Sequence, residues 1–198
     1  MVAAERVLVT AAAVLMLVSC GGGNPEPSGE PASDAKRLIV KLSDLPPGYA
    51  IVPGETIPTT LQSVLADPVL ADLKAEIERE RIGGFQTSVW DSEHRRIQCS
   101  VAVYRSSTAA HRILEHSRSR LRAVFAVRVL GRPAAVGSLA KDVGAFRFGV
   151  GRLKELAVGW RHRNVLAICV ALERKPPALA MLTDIVSAQQ TRLGTTLG

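Results

Sequence analysis

Two cysteines in apolar segments are the residues of this chain best placed for covalent chemistry. Cys99 lies within the strand-like segment Arg95–Arg105, and Cys169 lies within Val165–Leu172. In a protein that folds outside the reducing cytosol, two such thiols can form a disulfide. Closing a loop of about 70 residues would contribute about 3 to 4 kcal/mol by reducing the entropy of the unfolded chain.

The side-chain pattern of the two segments leaves this pairing open. Cys99 shares its face with the bulky residues of its segment, whereas Cys169 shares its face with Val165, Ala167 and Ala171. If bulky residues mark the core in both strands, the two sulfurs point to opposite faces of the sheet. Two separate buried thiols are therefore the alternative to a Cys99–Cys169 disulfide.

A third cysteine, Cys20, follows a short apolar segment near the start of the sequence. Residues Val7–Val18 are apolar apart from one threonine, and Arg6 precedes them. At about 12 residues the segment is shorter than the roughly 20 residues that a membrane-spanning helix needs. It predicts a signal peptide over residues 1–19 that is removed after export.

The residues Leu17-Val18-Ser19-Cys20 resemble the lipobox of bacterial lipoproteins. The resemblance implies that the Cys20 thiol carries a diacylglyceryl group and that the chain is cut before Cys20. The lipid anchor would then hold the protein on the extracytoplasmic face of the cell membrane. An ordinary signal peptide is the alternative, because Glu5 beside Arg6 leaves the first residues without a net positive charge.

Residues 20–37 are predicted to comprise the lipidated cysteine and a flexible tether. The stretch from Gly21 to Ser33 is rich in glycine and proline and has almost no apolar side chains that could form a core. Residues 38–198 remain for a single globular domain, which is long enough for one hydrophobic core. In this arrangement the chain resembles small uncharacterised lipoproteins of high-GC Gram-positive bacteria.

The charge of the chain favours some partners over others. The sequence has a formal net charge of +7 and an aromatic content of 4%. An excess of arginine favours an anionic envelope polymer, a lipid headgroup or an acidic protein as partner. The alternative is that the arginines only solvate the surface. The predicted location and the few aromatic side chains argue against nucleic acid.

Two hairpin-plus-helix units are predicted in the domain. The paired segments are 85–90 with 95–105, and 153–160 with 165–172. Helices are predicted to follow from Ser106 and from Pro176. In the second segment of the first hairpin, apolar residues alternate with Arg96, Gln98 and Ser100, which predicts one buried and one solvated face.

The two units have similar spacing. Trp90 is followed nine residues later by Cys99, and Trp160 is followed nine residues later by Cys169. The constant offset suggests two pseudo-repeated units, and the alternative is that two unrelated hairpins share a spacing by convergence. In both cases the predicted fold class is α+β, an antiparallel sheet with helices packed on one face.

The sequence contains no motif that indicates catalysis, and no cofactor is expected. A nucleophile elbow, a phosphate-binding loop and a zinc-protease motif are all missing from it. No metal site is expected either, because His111 and His116 are about 140° apart on a helix. His94 and His162 lie in the two predicted hairpin turns.

The sequence therefore predicts a non-catalytic binding or interaction module at the cell envelope, with an unknown ligand. Two alternatives remain. One is an envelope enzyme whose site is assembled from dispersed residues. The other is a carrier of an apolar, lipid-like ligand, which would need a cavity between the sheet and the helices.

Overall fold

One antiparallel sheet of eight strands forms the centre of the computed structural model. The structure describes residues 31–66, 69–93, 95–124, 127–131, 141–150, 153–173 and 179–197. The predicted signal peptide, Cys20 and residues 20–30 of the predicted tether lie outside the described residues.

The first strands of the chain lie across the sheet in chain order, and the last four lie in reverse order. They are β1 (Ala50–Ile51), β2 (Ile57–Pro58), β3 (Arg81–Trp90), β4 (Arg96–Tyr104), β5 (Arg128–Gly131), β6 (Lys141–Val150), β7 (Leu153–His162) and β8 (Val165–Glu173). Their order across the sheet is β1-β3-β4-β8-β7-β6-β5, and β2 also pairs with β3. The second predicted hairpin thus places its last strand beside the last strand of the first.

The helices lie on both faces of this sheet. They are α1 (Pro31–Leu38), α2 (Leu61–Leu65), α3 (Lys74–Glu80), α4 (Ser107–Val124) and α5 (Ala180–Leu197). Helices α1 and α5 pack in one apolar cluster that includes Val165, and helices α2, α3 and α4 pack in another that includes Leu166. Successive residues of a strand point to opposite faces, so the sheet has an α5 face and an α4 face.

The α+β class and the antiparallel sheet are confirmed, but helices cover two faces of the sheet rather than one. Val165 and Leu166 of β8 are both buried, because the apolar run of this strand serves both faces. Gln98 and Ser100 of β4, predicted to be solvated, are also buried, while Arg96 is exposed. Alternating polar residues therefore do not mark a solvated face in this strand.

The folded part begins before residue 38. Helix α1 places Ala35 and Leu38 in the cluster with α5, and both side chains are buried. The prediction of a flexible tether through residue 37 is therefore wrong for residues 31–37. Sequence patterning does not reveal this helix, since its 8 residues are fewer than the roughly 11 to 18 over which hydrophobic periodicity is assessed.

The cysteines of the two hairpins lie on the same face of the sheet, but the tryptophans do not. Trp90 pairs with Arg96 in the first hairpin, whereas Trp160 pairs with Ala167 in the second. If the 70-residue offset between Cys99 and Cys169 also related the paired residues of the two hairpins, Trp90 would pair with Ile97. A shift of one residue in register turns a side chain to the other face. Trp90 is accordingly 40% exposed, while Trp160 is fully buried on the α5 face.

Candidate functional site

A disulfide joins the two hairpins at the centre of the sheet. Cys99 of β4 and Cys169 of β8 lie directly opposite each other, with 4.1 Å between their Cα atoms. Both side chains are fully buried on the α5 face. The predicted Cys99–Cys169 disulfide is confirmed, and the alternative of two separate thiols is wrong.

Small residues of β8 explain why the sulfurs share a face. Cys169 is flanked on the α5 face by Ala167 and Ala171, which are both buried. The bulkier Leu166 belongs to the cluster on the α4 face. Bulky residues of β8 therefore do not mark which face contains Cys169, and the small residues beside it leave room for the disulfide beneath α5.

Two adjacent glutamines of α5 make buried hydrogen bonds on the inner side of the helix. The Gln189 side chain accepts from the main-chain N–H of Val40 at 2.9 Å and donates to the carbonyl of Leu38 at 2.7 Å. These bonds satisfy the main chain where α1 ends, and they link residues far apart in sequence. Gln189 thus fixes α1 to α5.

The second glutamine, Gln190, bridges two side chains of β7. Its Oε1 atom accepts from Trp160 Nε1 at 2.8 Å, and its Nε2 atom lies 3.2 Å from His162 Nδ1. His162 and Gln190 are each 6% exposed. Burial lowers the pKa of His162 below its usual value, and the charge of Arg163 lowers this pKa further.

The tight turn after β7 makes a further contact with α5. Arg163 has a positive φ of 55°, a conformation that is uncommon for residues other than glycine. Its guanidinium donates to the main-chain oxygen of Leu197 at 2.5 Å. A cation at this position stabilises the carboxyl end of a helix, where carbonyl groups have no partner within the helix.

The outer side of α5 lines an open groove with a volume of about 530 Å³. Residues 44–46 form the opposite wall, and α5 contributes Asp184, Ser187, Thr191, Arg192 and Thr195. The volume is within the range of small-molecule sites, which hold about 300 to 1,000 Å³. Three of the helix side chains that line it carry hydroxyl groups.

Carboxylates outnumber cations in this groove. Arg192 Nε lies 2.9 Å from Asp44 Oδ2, which also accepts from the main-chain N–H of Lys41. Tyr49 donates to Asp184 at 3.4 Å. Burial and the neighbouring Asp184 carboxylate raise the pKa of Tyr49. With two carboxylates and one guanidinium, the lining has a net charge of −1, although the whole chain is basic.

A separate polar cluster lies on the α4 face, around Asp142 of β6. The Asp142 carboxylate lies 2.7 Å from Arg161 Nε and 2.8 Å from His111 Nδ1. Partial burial raises the pKa of Asp142, but hydrogen bonds from Arg161 and His111 outweigh this effect and hold the pKa below its usual value. Asp142 also has a positive φ of 53°. The cluster fastens α4 to β6 and β7.

Helix α4 is also fastened to the segment before it by ion pairs. Arg112 lies 2.7 Å from Glu76 of α3, and Arg120 lies 3.6 Å from Asp72. His116 lies 3.8 Å from the same Asp72 carboxylate. Much of the positive charge on α4 is therefore paired within the protein.

The described histidines do not form a common site. His111 and His116 lie on α4, and His162 lies on the other face of the sheet; His94 lies outside the described residues. In the part of the chain that the structure describes, no three histidine, cysteine or acidic side chains converge as metal ligands. The described helices also include none that is long and apolar enough to span a membrane.

The groove and the two glutamines were not found from the sequence. Gln189 follows the inward positions Leu182, Ile185 and Val186 at helical spacing, and it is completely buried. A polar residue in the apolar stripe of a helix is the signal that could have located it, because a buried amide needs specific partners. The groove has no such signal, since residues 44–46 and α5 are distant in sequence.

Comparison with known proteins identifies a fold rather than a family. No family model and no curated protein matches the sequence. Among solved structures, the chain is similar to the extracellular domain of PknH from Mycobacterium tuberculosis, with a TM-score of 0.51 and 10% sequence identity. The match covers 87% of this chain and 100% of that one. The chain therefore shares the fold of that extracellular domain.

Proposed function

We propose that this protein is a membrane-anchored, extracytoplasmic binding module without catalytic activity. Three observations support the location. A solved structure with a similar fold is that of an extracellular domain. The Cys99–Cys169 disulfide is typical of an oxidising compartment. The lipobox-like residues before Cys20 supply the anchor.

The groove beside α5 is the proposed ligand site, and a neutral, hydroxyl-rich ligand such as a glycan fits its chemistry. A sugar hydroxyl both donates and accepts hydrogen bonds. The adjacent Asp44 carboxylate and Arg192 guanidinium offer an acceptor and a donor side by side. Leu45 and Pro46 add an apolar surface for the carbon face of a sugar ring.

The charge of the groove is the observation that separates this ligand class from an anionic polymer. An anion would face two carboxylates, Asp44 and Asp184, and one guanidinium, Arg192, whose positive charge Asp44 offsets. Helix α4 has more positive charge, but Arg112 and Arg120 lie beside acidic side chains. An anionic polymer, lipid or protein therefore remains a second prediction, for surfaces other than the groove.

Titration with neutral and anionic sugars tests the ligand class. The neutral probes are hexasaccharides (hexaoses) of glucose, mannose and galactose, and the anionic probe is polygalacturonate. We expect a neutral hexaose to shift the NMR signals of the α5 groove residues. Thr191→Val should weaken its binding about ten-fold, since one hydrogen bond of about 1.4 kcal/mol is lost.

Thr183→Val is the matched control, because Thr183 is exposed on the same helix and does not line the groove. It should leave the affinity unchanged. Equal weakening by both variants would show a general effect on α5 instead of a ligand contact. If none of the neutral hexaoses binds, or if polygalacturonate binds and Thr191→Val has no effect, the proposed ligand class is wrong.

Replacing the lipobox cysteine tests the anchor. In the native host, Cys20→Ala should accumulate as a precursor or appear in the soluble fraction, because it lacks the thiol that takes the lipid. Ser28→Ala serves as the control, since it makes a similarly small change in the predicted tether and leaves both the lipobox and the Cys99–Cys169 disulfide intact. Equal processing and equal membrane association of the wild type and Cys20→Ala would contradict the anchor.

A further inference from the structure

Two hydrogen bonds, Trp160–Gln190 and Gln190–His162, connect β7 to α5 on the side of the helix opposite the groove. We propose that it is a pH-sensitive latch: it holds the carboxyl-terminal half of α5 against the sheet while His162 is neutral, and protonation of His162 opens it. The consequence for ligand binding depends on the proposed function, whereas the latch itself does not.

The direction of each hydrogen bond follows from the chemistry of tryptophan. The indole Nε1–H of Trp160 can only donate, so the atom of Gln190 that faces it is the carbonyl Oε1. The amide Nε2–H₂ of Gln190 then faces His162 Nδ1 and must donate to it. His162 is therefore neutral, with its proton on Nε2.

Protonation of His162 breaks this arrangement. A proton on Nδ1 would face the N–H₂ group of Gln190, so two donors would oppose each other. Turning the Gln190 amide over would satisfy His162 but would place an N–H group against the indole N–H of Trp160. The three side chains are buried, so their unpaired groups have little access to water. One of the two bonds is lost in acid.

The surrounding charges do not compensate for this loss. Arg163 in the adjoining turn opposes a positive charge on His162. The charged residues of α5, Asp184 and Arg192, line the groove on the other side of the helix. Arg161 of β7 binds Asp142 on the α4 face. Helix α1 contains Asp34, Lys36 and Arg37 and so has a formal net charge of +1, which does not favour a positive charge on His162.

The sign of the pH effect follows from the pKa of His162. Burial and Arg163 lower this pKa in the folded protein relative to the unfolded value of 6.5. The latch therefore contributes its full stability above about pH 6.5, and this stability is lost as the pH falls through the lowered pKa. Gln190 is next to Thr191 and Arg192, so opening of the latch loosens one wall of the groove and weakens ligand binding.

His162→Asn tests the latch without using a ligand. The asparagine Oδ1 atom can take the place of His162 Nδ1 as an acceptor, but asparagine does not titrate. In the wild type, lowering the pH from about 8 to about 5 should shift the Trp160 indole N–H signal in NMR spectra. Hydrogen exchange of residues 190–197, corrected for intrinsic rates, should rise by a factor on the order of ten. Both responses should be missing in His162→Asn.

His116→Asn is the matched control, since His116 lies on the α4 face, and it should keep the wild-type responses.

Trp160→Phe is the second variant, because without the indole donor the Gln190 amide can turn and accept from protonated His162. It should weaken the acid response of residues 190–197. The latch is overturned if the wild type shows no acid response, or if His162→Asn retains it. A failure to bind sugars would leave these ligand-free results intact and would count only against the proposed function.

Discussion

Each half of the sheet contains a hairpin followed by a long helix, but the two helices are fastened in different ways. In the first half, α4 follows the β3–β4 hairpin and is fastened by partly exposed ion pairs to Glu76 and Asp72 and by the contact of His111 with Asp142. In the second half, α5 follows the β7–β8 hairpin and is fastened by the buried amides of Gln189 and Gln190.

This difference indicates how each half responds to its surroundings. Exposed ion pairs are screened by salt and contribute little each, because water competes for both partners. Buried amides are nearly insensitive to salt, but the loss of one leaves several groups without a partner. We therefore expect the α4 side to respond weakly to salt and the α5 side to respond strongly to substitution.

The largest effect is expected where the two halves are joined. In a chain that begins at Pro31 and so lacks Cys20, the double variant Cys99→Ala with Cys169→Ala should lose about 4 kcal/mol of unfolding free energy, because the unfolded chain is no longer closed into a loop. Denaturant titration measures this loss. The unsubstituted chain should show no free thiol when denatured without reductant, and two titratable thiols would contradict the disulfide.

Gln189→Leu should have the next largest effect. The substitution keeps the side-chain volume but leaves the main-chain N–H of Val40 and the carbonyl of Leu38 without their buried partner. We expect a loss of about 3 kcal/mol in unfolding free energy. Gln62→Leu is the control, an equal change at an exposed position of α2, and it should alter stability by less than about 0.5 kcal/mol. Equal losses of unfolding free energy in the two variants would contradict the proposed dependence of α5 on its buried amides.

The smallest effect is expected at the ion pairs of α4. Arg112→Ala removes the contact with Glu76 and should cost about 0.5 kcal/mol at low salt. The cost should shrink as sodium chloride is added, because mobile ions screen the pair. Arg122→Ala removes an exposed arginine from the same helix and serves as the reference. A cost for Arg112→Ala that salt does not change would show that packing, rather than charge, fastens α4.

The sequence predicted local elements better than their packing. The hairpins follow from alternation and spacing over a few residues. The pairing of Cys99 with Cys169 was one of two alternatives, because the side-chain pattern did not place both sulfurs on one face. The face that each helix covers does not, because it depends on contacts between distant segments such as Gln189 with Leu38. The same reason explains why the groove was missed: its walls, residues 44–46 and α5, come together only in the folded chain.

The contact between α1 and α5 also has a mechanical consequence. If the protein is tethered before Pro31, tension from the membrane enters the fold at α1. Gln189 passes that tension to α5 through Leu38 and Val40. Forced unfolding is governed by the rate at which the first contacts open. The contacts of α1 with α5 and β3 would then yield first, while the Cys99–Cys169 bond keeps β4 and β8 together and limits how far the chain extends.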